Sequence, residues 1–217
     1  MNDYTWSLRR LIIMALLSAL AFIAVSFIRI PAVLFLQYEP KDVLLTIGGF
    51  MFGPFVGLAI AALVALLELV TISDTGLIGM VMNIISSGLF VCTASLVYRL
   101  RRTLGGAVLG LACGMVLMTG GMLLWNYLVT PLYMGIPRQA VTELLLPVFL
   151  PFNLLKGGIN AALTMLLYKP VTQALRTARL LPPASLSSGK NKIFIWLMSL
   201  FIFLSLVLVL LFWSGII

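Results

Sequence analysis

Apolar runs of about 20 residues recur along the whole chain, separated by short polar or Pro/Gly-containing breaks, and each is long enough to cross a bilayer as a helix. The first runs from Leu11 to Ile28. It lacks a small-residue cleavage motif, which makes it a retained helix and not a signal peptide. Arg29 to Lys41 (RIPAVLFLQYEPK) is a non-helical connection, too apolar for a freely solvated loop, and is expected to fold back as a lid. Val43 to Val70 is too long for one span and is broken at Gly53-Pro54. Proline favours a helix start and disfavours a helical residue before it. The run therefore splits into a short second helix, to Phe52, and a third from Pro54 to Val70.

The fourth and fifth helices are expected at Leu77–Tyr98 and Leu104–Thr130, then a polar hairpin at Pro131–Leu146 and a sixth helix at Pro147–Tyr168. Lys169 to Lys192 is basic and rich in Pro and Ser; Ile193 to Trp213 is a plain apolar seventh helix. The pattern predicts an all-α integral membrane protein with a six-helix core and one extra C-terminal transmembrane helix. Three segments follow: a membrane core over 1–175, a basic linker over 176–192, and the extra helix over 193–217.

Composition agrees. The 217 residues are 62% hydrophobic and 9% charged, with a mean hydropathy of +1.18, whereas soluble domains carry about a quarter charged residues. Histidine is absent and the six acids are scattered singly. No metal-ligand cluster and no Ser/His or Cys/His pair is visible, which argues against a membrane hydrolase or metalloprotease. No phosphate-cradling G-x-x-x-x-G-K-[ST] loop is present either. Cys92 and Cys113 lie inside apolar runs and are read as small packing residues.

The net charge of +8 carries a topology signal. Seven spans divide the loops into two sets. One holds Arg9, Arg10, Arg99, Arg101, Arg102, Lys169, Arg176, Arg179, Lys190 and Lys192; the other holds Arg29, Lys41 and Arg138. The basic set marks the cytoplasmic side. The N-terminus is then cytoplasmic and the C-terminus outside, and the charge implies no nucleic acid.

Asn153, Lys156 and Asn160 fall at steps of three and four, so a helix projects them from one face, and Thr164 extends the stripe. An ammonium in hydrocarbon is costly and is expected to face a cavity or a partner. A lysine near a helix start can also snorkel to the membrane surface; the asparagines on the same face favour a ligand. Asn126 lies near the outer end of the fifth helix, and Asn83 shares a face with Ser87 on the fourth. These residues describe an outward-opening pocket for a neutral, hydrogen-bond-rich ligand; Phe35, Tyr38, Trp125, Tyr127, Tyr133, Phe149 and Phe152 nearby either stack on a planar ring of it or serve equally well as interfacial belt and core. Ala15 and Ala19, four apart on the first helix, allow a second helix to approach closely, either within the chain or from a partner.

Three motifs carry a family resemblance: IGGFMFGPFVG at 47–57, NYLVTPLYMGIP at 126–137 and LPFNLLKGGIN at 150–160. Over residues 10 to 175 the chain resembles an S component of an energy-coupling factor (ECF) vitamin transporter, most nearly the riboflavin-specific type. The resemblance implies that riboflavin is the transported ligand, held by Asn126, Asn153 and Lys156 and covered by the first outer connection. The expected site also includes Asn160, Tyr38, Glu39 and Asn83, with no catalytic residue, metal or cofactor. It further implies a membrane T component and two cytoplasmic ATPases as partners, with Ala15 and Ala19 docking the T component. The seventh helix departs from the six-helix family pattern. The alternatives are an S component for another vitamin or precursor, such as pantothenate or folate, or a lipid-modifying membrane enzyme.

Overall fold

The computed structural model describes residues 3–182, together with 197, 198, 200–202, 204, 205, 208 and 209. Helices dominate: α1 (Asp3–Phe27), α2 (Lys41–Phe52), α3 (Pro54–Thr71), α4 (Gly76–Leu100), α5 (Leu104–Met134), α6 (Arg138–Leu144) and α7 (Leu150–Thr177). Among the described residues, five helical stretches are long and apolar enough to span a membrane: Leu8–Phe27, Pro54–Thr71, Gly76–Leu100, Leu104–Met134 and Arg138–Thr177. The six-helix core is thus present, with α2 as its short member.

The break between α2 and α3 falls where the Gly-Pro pair requires it. Gly53 sits at φ +101°, a region that disfavours side chains, and Pro54 opens α3 at a position needing no amide donor. The glycine ridge of α5 sets its crossing with α4. A Cβ on Gly110 would lie 2.6 Å from the Ala94 carbonyl oxygen, and one on Gly114 would lie 2.7 Å from that of Phe90. Backbones this close leave no room for a side chain. Ile13, Leu17, Ala21 and Val25 form the buried face of α1, while Ala15 and Ala19 lie on its exposed face.

Two expected boundaries are corrected. The expected hairpin over Pro131–Leu146 is mostly helical. Helix α5 continues through Pro131 to Met134 and stops at Gly135, which takes the left-handed conformation (φ +66°). After the Gly135-Ile136-Pro137 corner, α6, a π-helical turn over Leu145–Phe149 and α7 run on without a break. Wider π-helical hydrogen bonding accommodates Pro147 and Pro151, which cannot donate to the ordinary ladder. Helix α7 likewise passes Pro170 and ends at Thr177, inside the stretch expected to be linker. Cys113 is exposed on α5 and not packed in the core.

The expected lid is an antiparallel hairpin. Strands β1 (Ile30–Val33) and β2 (Leu36–Tyr38) pair Ile30 with Tyr38 and Pro31 with Gln37, with a bulge before Val33. Its apolar side packs on the α6–α7 corner, where Leu36 joins Val141, Phe149 and Phe152. The expected linker and seventh helix fall mostly outside the described residues. Leu197, Met198 and Phe201 lie against Leu104, Leu111, Ala161 and Met165 of α5 and α7.

Candidate substrate site

The first turn of α2 brings Lys41 and Asp42 into the bundle directly below the hairpin. A lysine at a helix N-terminus opposes the helix dipole and must be compensated elsewhere. Lys41 is 1% exposed, and its Nζ donates to Glu68 Oε1 and Oε2 of α3 at 2.6 and 2.7 Å. Nζ also lies 2.6 Å from Glu39 Oε2, just beyond the hairpin. Arg29 closes the set, with Nε 3.2 Å from Glu39 and Nη2 3.9 Å from Glu68. The Arg29 Nε approach lies off the hydrogen-bond axis, so this contact is an ion pair only. Asn83 Nδ2 donates to Glu68 Oε2 at 2.9 Å.

A second branch starts at Asp42, which is fully buried. It accepts from Ser87 Oγ and, at 3.1 Å, from Asn160 Nδ2. Asn160 Oδ1 in turn accepts from the Tyr38 hydroxyl at 3.1 Å. Lys156 Nζ stands 3.9 Å from Asp42 Oδ2. Three cations (Arg29, Lys41, Lys156) therefore meet three carboxylates (Glu39, Asp42, Glu68) in one cluster. Buried charges persist when paired and hydrogen-bonded, and that condition is met here by all but one.

The exception is Lys156. Its ammonium is nearly buried, and among the described residues its one ion-pair contact within 4 Å is the distant Asp42, with no hydrogen bond made. It lines a cavity of about 70 Å³ with Asn153, Asn83, Glu39, Glu68, Phe35 and Phe152. Pockets for drug-sized ligands run to about 300–1,000 Å³. A planar ligand of three fused rings thus fits only if the hairpin carrying Phe35 and Leu36 moves. Phe35 meets Tyr133 edge-on at 5.7 Å and Phe149 at 6.2 Å, so that movement separates aromatic contacts.

At the hairpin's end, burial pushes the Glu39 carboxyl up, but the charges of Lys41, Lys156 and Arg29 outweigh it and hold it below its ordinary value. Burial and, after it, the Asp42 charge push the Tyr38 phenol up, so Tyr38 stays a donor to Asn160.

The residues expected from the sequence distribute as follows. Asn153, Lys156, Asn160 and Thr164 do form one buried face of α7. Lys156, Asn153, Asn83 and Glu39 line the cavity; Tyr38 and Asn160 bond to each other behind it. Asn126 is different: it does not line the cavity. Its Nδ2 donates to the Met122 carbonyl and its Oδ1 accepts from Thr130, so both its polar ends are engaged within α5. Of the candidate aromatics, Phe35 and Phe152 reach the cavity, while Tyr127 lies under the Arg138 guanidinium at 5.2 Å. Sequence reasoning missed Lys41, Asp42 and Glu68 as site residues. Glu68 carried a usable signal, a single acid within an apolar span, which is costly unless it is functional or paired.

Comparison with known proteins bears directly on this arrangement. Residues 9–168 match the family described as ECF transporter, substrate-specific component. The chain belongs to this family. Among its relatives are two proteins named Riboflavin transporter RibU. That of Streptococcus thermophilus is 29% identical over 185 residues, covering 80% of this chain and 88% of the relative. That of Staphylococcus aureus is 29% identical over 178 residues, covering 77% and 93%. Riboflavin transporter FmnP of Bacillus subtilis is 26% identical over 188 residues, covering 79% and 98%. A solved structure titled "Structure and mechanism of the S component of a bacterial ECF transporter" superposes with a TM-score of 0.66 at 28% identity, covering 78% of this chain and 99% of that one. As a substrate-specific component, the chain is a multi-pass membrane subunit of a transporter.

Proposed function

We propose that this S component captures riboflavin, with the Lys156 ammonium and the Asn153 and Asn83 amides as donors and Phe35 and Phe152 against the ring system. The observation that carries the reading is Lys156: a nearly buried ammonium lining a cavity, 3.9 Å from Asp42, its nearest charge. A ligand carbonyl would accept the hydrogen bonds that Asp42 is too distant to take. The names of the relatives supply the vitamin. The hairpin opens to admit the vitamin and recloses through Tyr38–Asn160 and Arg29–Glu39.

The charged cluster faces the outside and the arginine-rich end faces the cytoplasm, as the distribution of Lys and Arg requires. The chain is not an enzyme and supplies no ATP site. Transport energy comes from a T component and two ATPases, with the exposed Ala15 and Ala19 as the close-approach face for the T component.

The test is purification of the full chain from cells supplied with riboflavin. The expected preparation is yellow, and quenching of flavin fluorescence on titration gives a saturable curve. A colourless protein that binds pantothenate or folate instead would reassign the vitamin. Ala15→Leu/Ala19→Leu should keep that binding curve and lose uptake in cells; equal loss of both would make the patch internal packing.

A further inference from the structure

At the end of the bundle opposite the charged cluster lies a second, far larger cavity of about 700 Å³. Arg10 of α1, Arg99 in the last turn of α4, Arg102 in the α4–α5 connection and Arg176 in the last turn of α7 all line it. Its floor is the α2–α3 joint. There Arg10 lies over the Phe52 ring at 5.6 Å and donates to the Phe52 carbonyl at 3.5 Å. Among the residues whose side chains the structure describes, which in α1 begin at Leu8, none of these four guanidinium groups has a carboxylate within ion-pair distance.

Two ordinary explanations account for part of this. Cytoplasmic ends collect basic residues for topology, and Arg99 and Arg176 complement helix C-termini. Neither requires four guanidiniums, from three helices and a connection, to converge on one cavity. Gathered cations without counter-charge repel one another, and an anion between them relieves the repulsion. Guanidinium forks match phosphate oxygens in pairs. The volume exceeds what a bare anion fills, and Phe55, 82% exposed, sits at its edge as an apolar surface.

We propose that this cavity binds a phosphoryl group carried on a larger molecule, either the headgroup of an anionic phospholipid or a soluble phosphate ester. The assignment rests on the orientation proposed above, which puts the cavity at the inner headgroup level. It does not depend on which vitamin the outer site takes.

The test uses the full chain in detergent, with native mass spectrometry on added phosphatidylglycerol or phosphatidylcholine and a competition arm with glycerol 3-phosphate. Phosphatidylglycerol should bind about tenfold or more tightly than phosphatidylcholine, the effect of one charge-assisted hydrogen bond. Arg10→Gln/Arg99→Gln/Arg176→Gln should abolish that preference. Arg9→Gln/Arg101→Gln/Arg179→Gln removes the same charge from arginines outside the cavity and should keep it. Glycerol 3-phosphate that displaces the lipid identifies a site for soluble esters; lipid that resists displacement identifies a headgroup site. Equal loss in both triple variants, or no saturable binding in either arm, overturns the proposal. Flavin binding retained by both variants shows that each is folded, and its absence from all samples, wild type included, would count against the riboflavin reading alone.

Discussion

The two ends of this bundle hold similar numbers of cations and treat them in opposite ways. At one end Arg29, Lys41 and Lys156 are matched by Glu39, Asp42 and Glu68, and the cluster is sunk among helices around a cavity of about 70 Å³. At the other, Arg10, Arg99, Arg102 and Arg176 ring an open cavity of about 700 Å³ with no paired acid among the described residues. The difference follows from solvation. A buried ion loses several kcal/mol of hydration that only a close counter-ion restores, whereas an exposed guanidinium keeps its water. Compensation is therefore what lets the first set be buried beside the candidate substrate site.

The comparison can be broken most severely at Lys41. Lys41→Met leaves Glu39 and Glu68 buried beside one another with only the partly exposed Arg29 and the more distant Lys156 to offset them. Removing one partner of a buried pair costs about 3–5 kcal/mol. Thermal unfolding in detergent should show a large fall in Tm, partly restored by adding Glu39→Gln and Glu68→Gln. An unchanged Tm for the single variant would mean that the cluster contributes no structural cohesion.

A smaller effect is expected from acid. The Glu39 carboxyl is held below its ordinary value, so its unfolded state binds the proton first as pH falls. Its contribution is complete above pH 4.5 and is lost as pH drops through the lower folded value. Hairpin closure, followed by protection of Leu36 and Gln37 amides from exchange, should weaken below that point, and Glu39→Gln should remove the acid limb. A hairpin equally protected on both sides of pH 4.5 in wild type would contradict this. The smallest change belongs to the open end. Arg99→Gln removes an exposed, unpaired cation and should shift stability by about 0.5 kcal/mol or less.

How much of this was legible in the sequence depended on the range of the signal. The stripe Asn153–Lys156–Asn160 is a local spacing on one helix, and it was readable because helical periodicity alone places those side chains together. The break at Gly53-Pro54 was readable for the same reason. Asn126 shows the limit: an amide in an apolar run has the same sequence signal whether it faces a ligand or its own helix's carbonyl. The Lys41–Glu68 and Asp42–Asn160 pairs join residues 27 and 118 positions apart, so no spacing rule reaches them. The hairpin expected over Pro131–Leu146 was misread because Pro131 and Pro147 normally bound helices, whereas α5 runs through the first and a π-helical turn accommodates the second.

The central claim is that Lys156 is the ligand's principal donor, and Lys156→Met tests it directly. The variant keeps the stem and removes the ammonium, and flavin fluorescence quenching on purified protein reads the affinity. A charge-assisted bond of about 1.5–3 kcal/mol predicts a loss of about tenfold to a hundredfold in Kd. Thermal unfolding of the same sample checks that Asp42, still held by Ser87 and Asn160, keeps the fold. A folded variant with the wild-type Kd would remove Lys156 from the site and contradict the account.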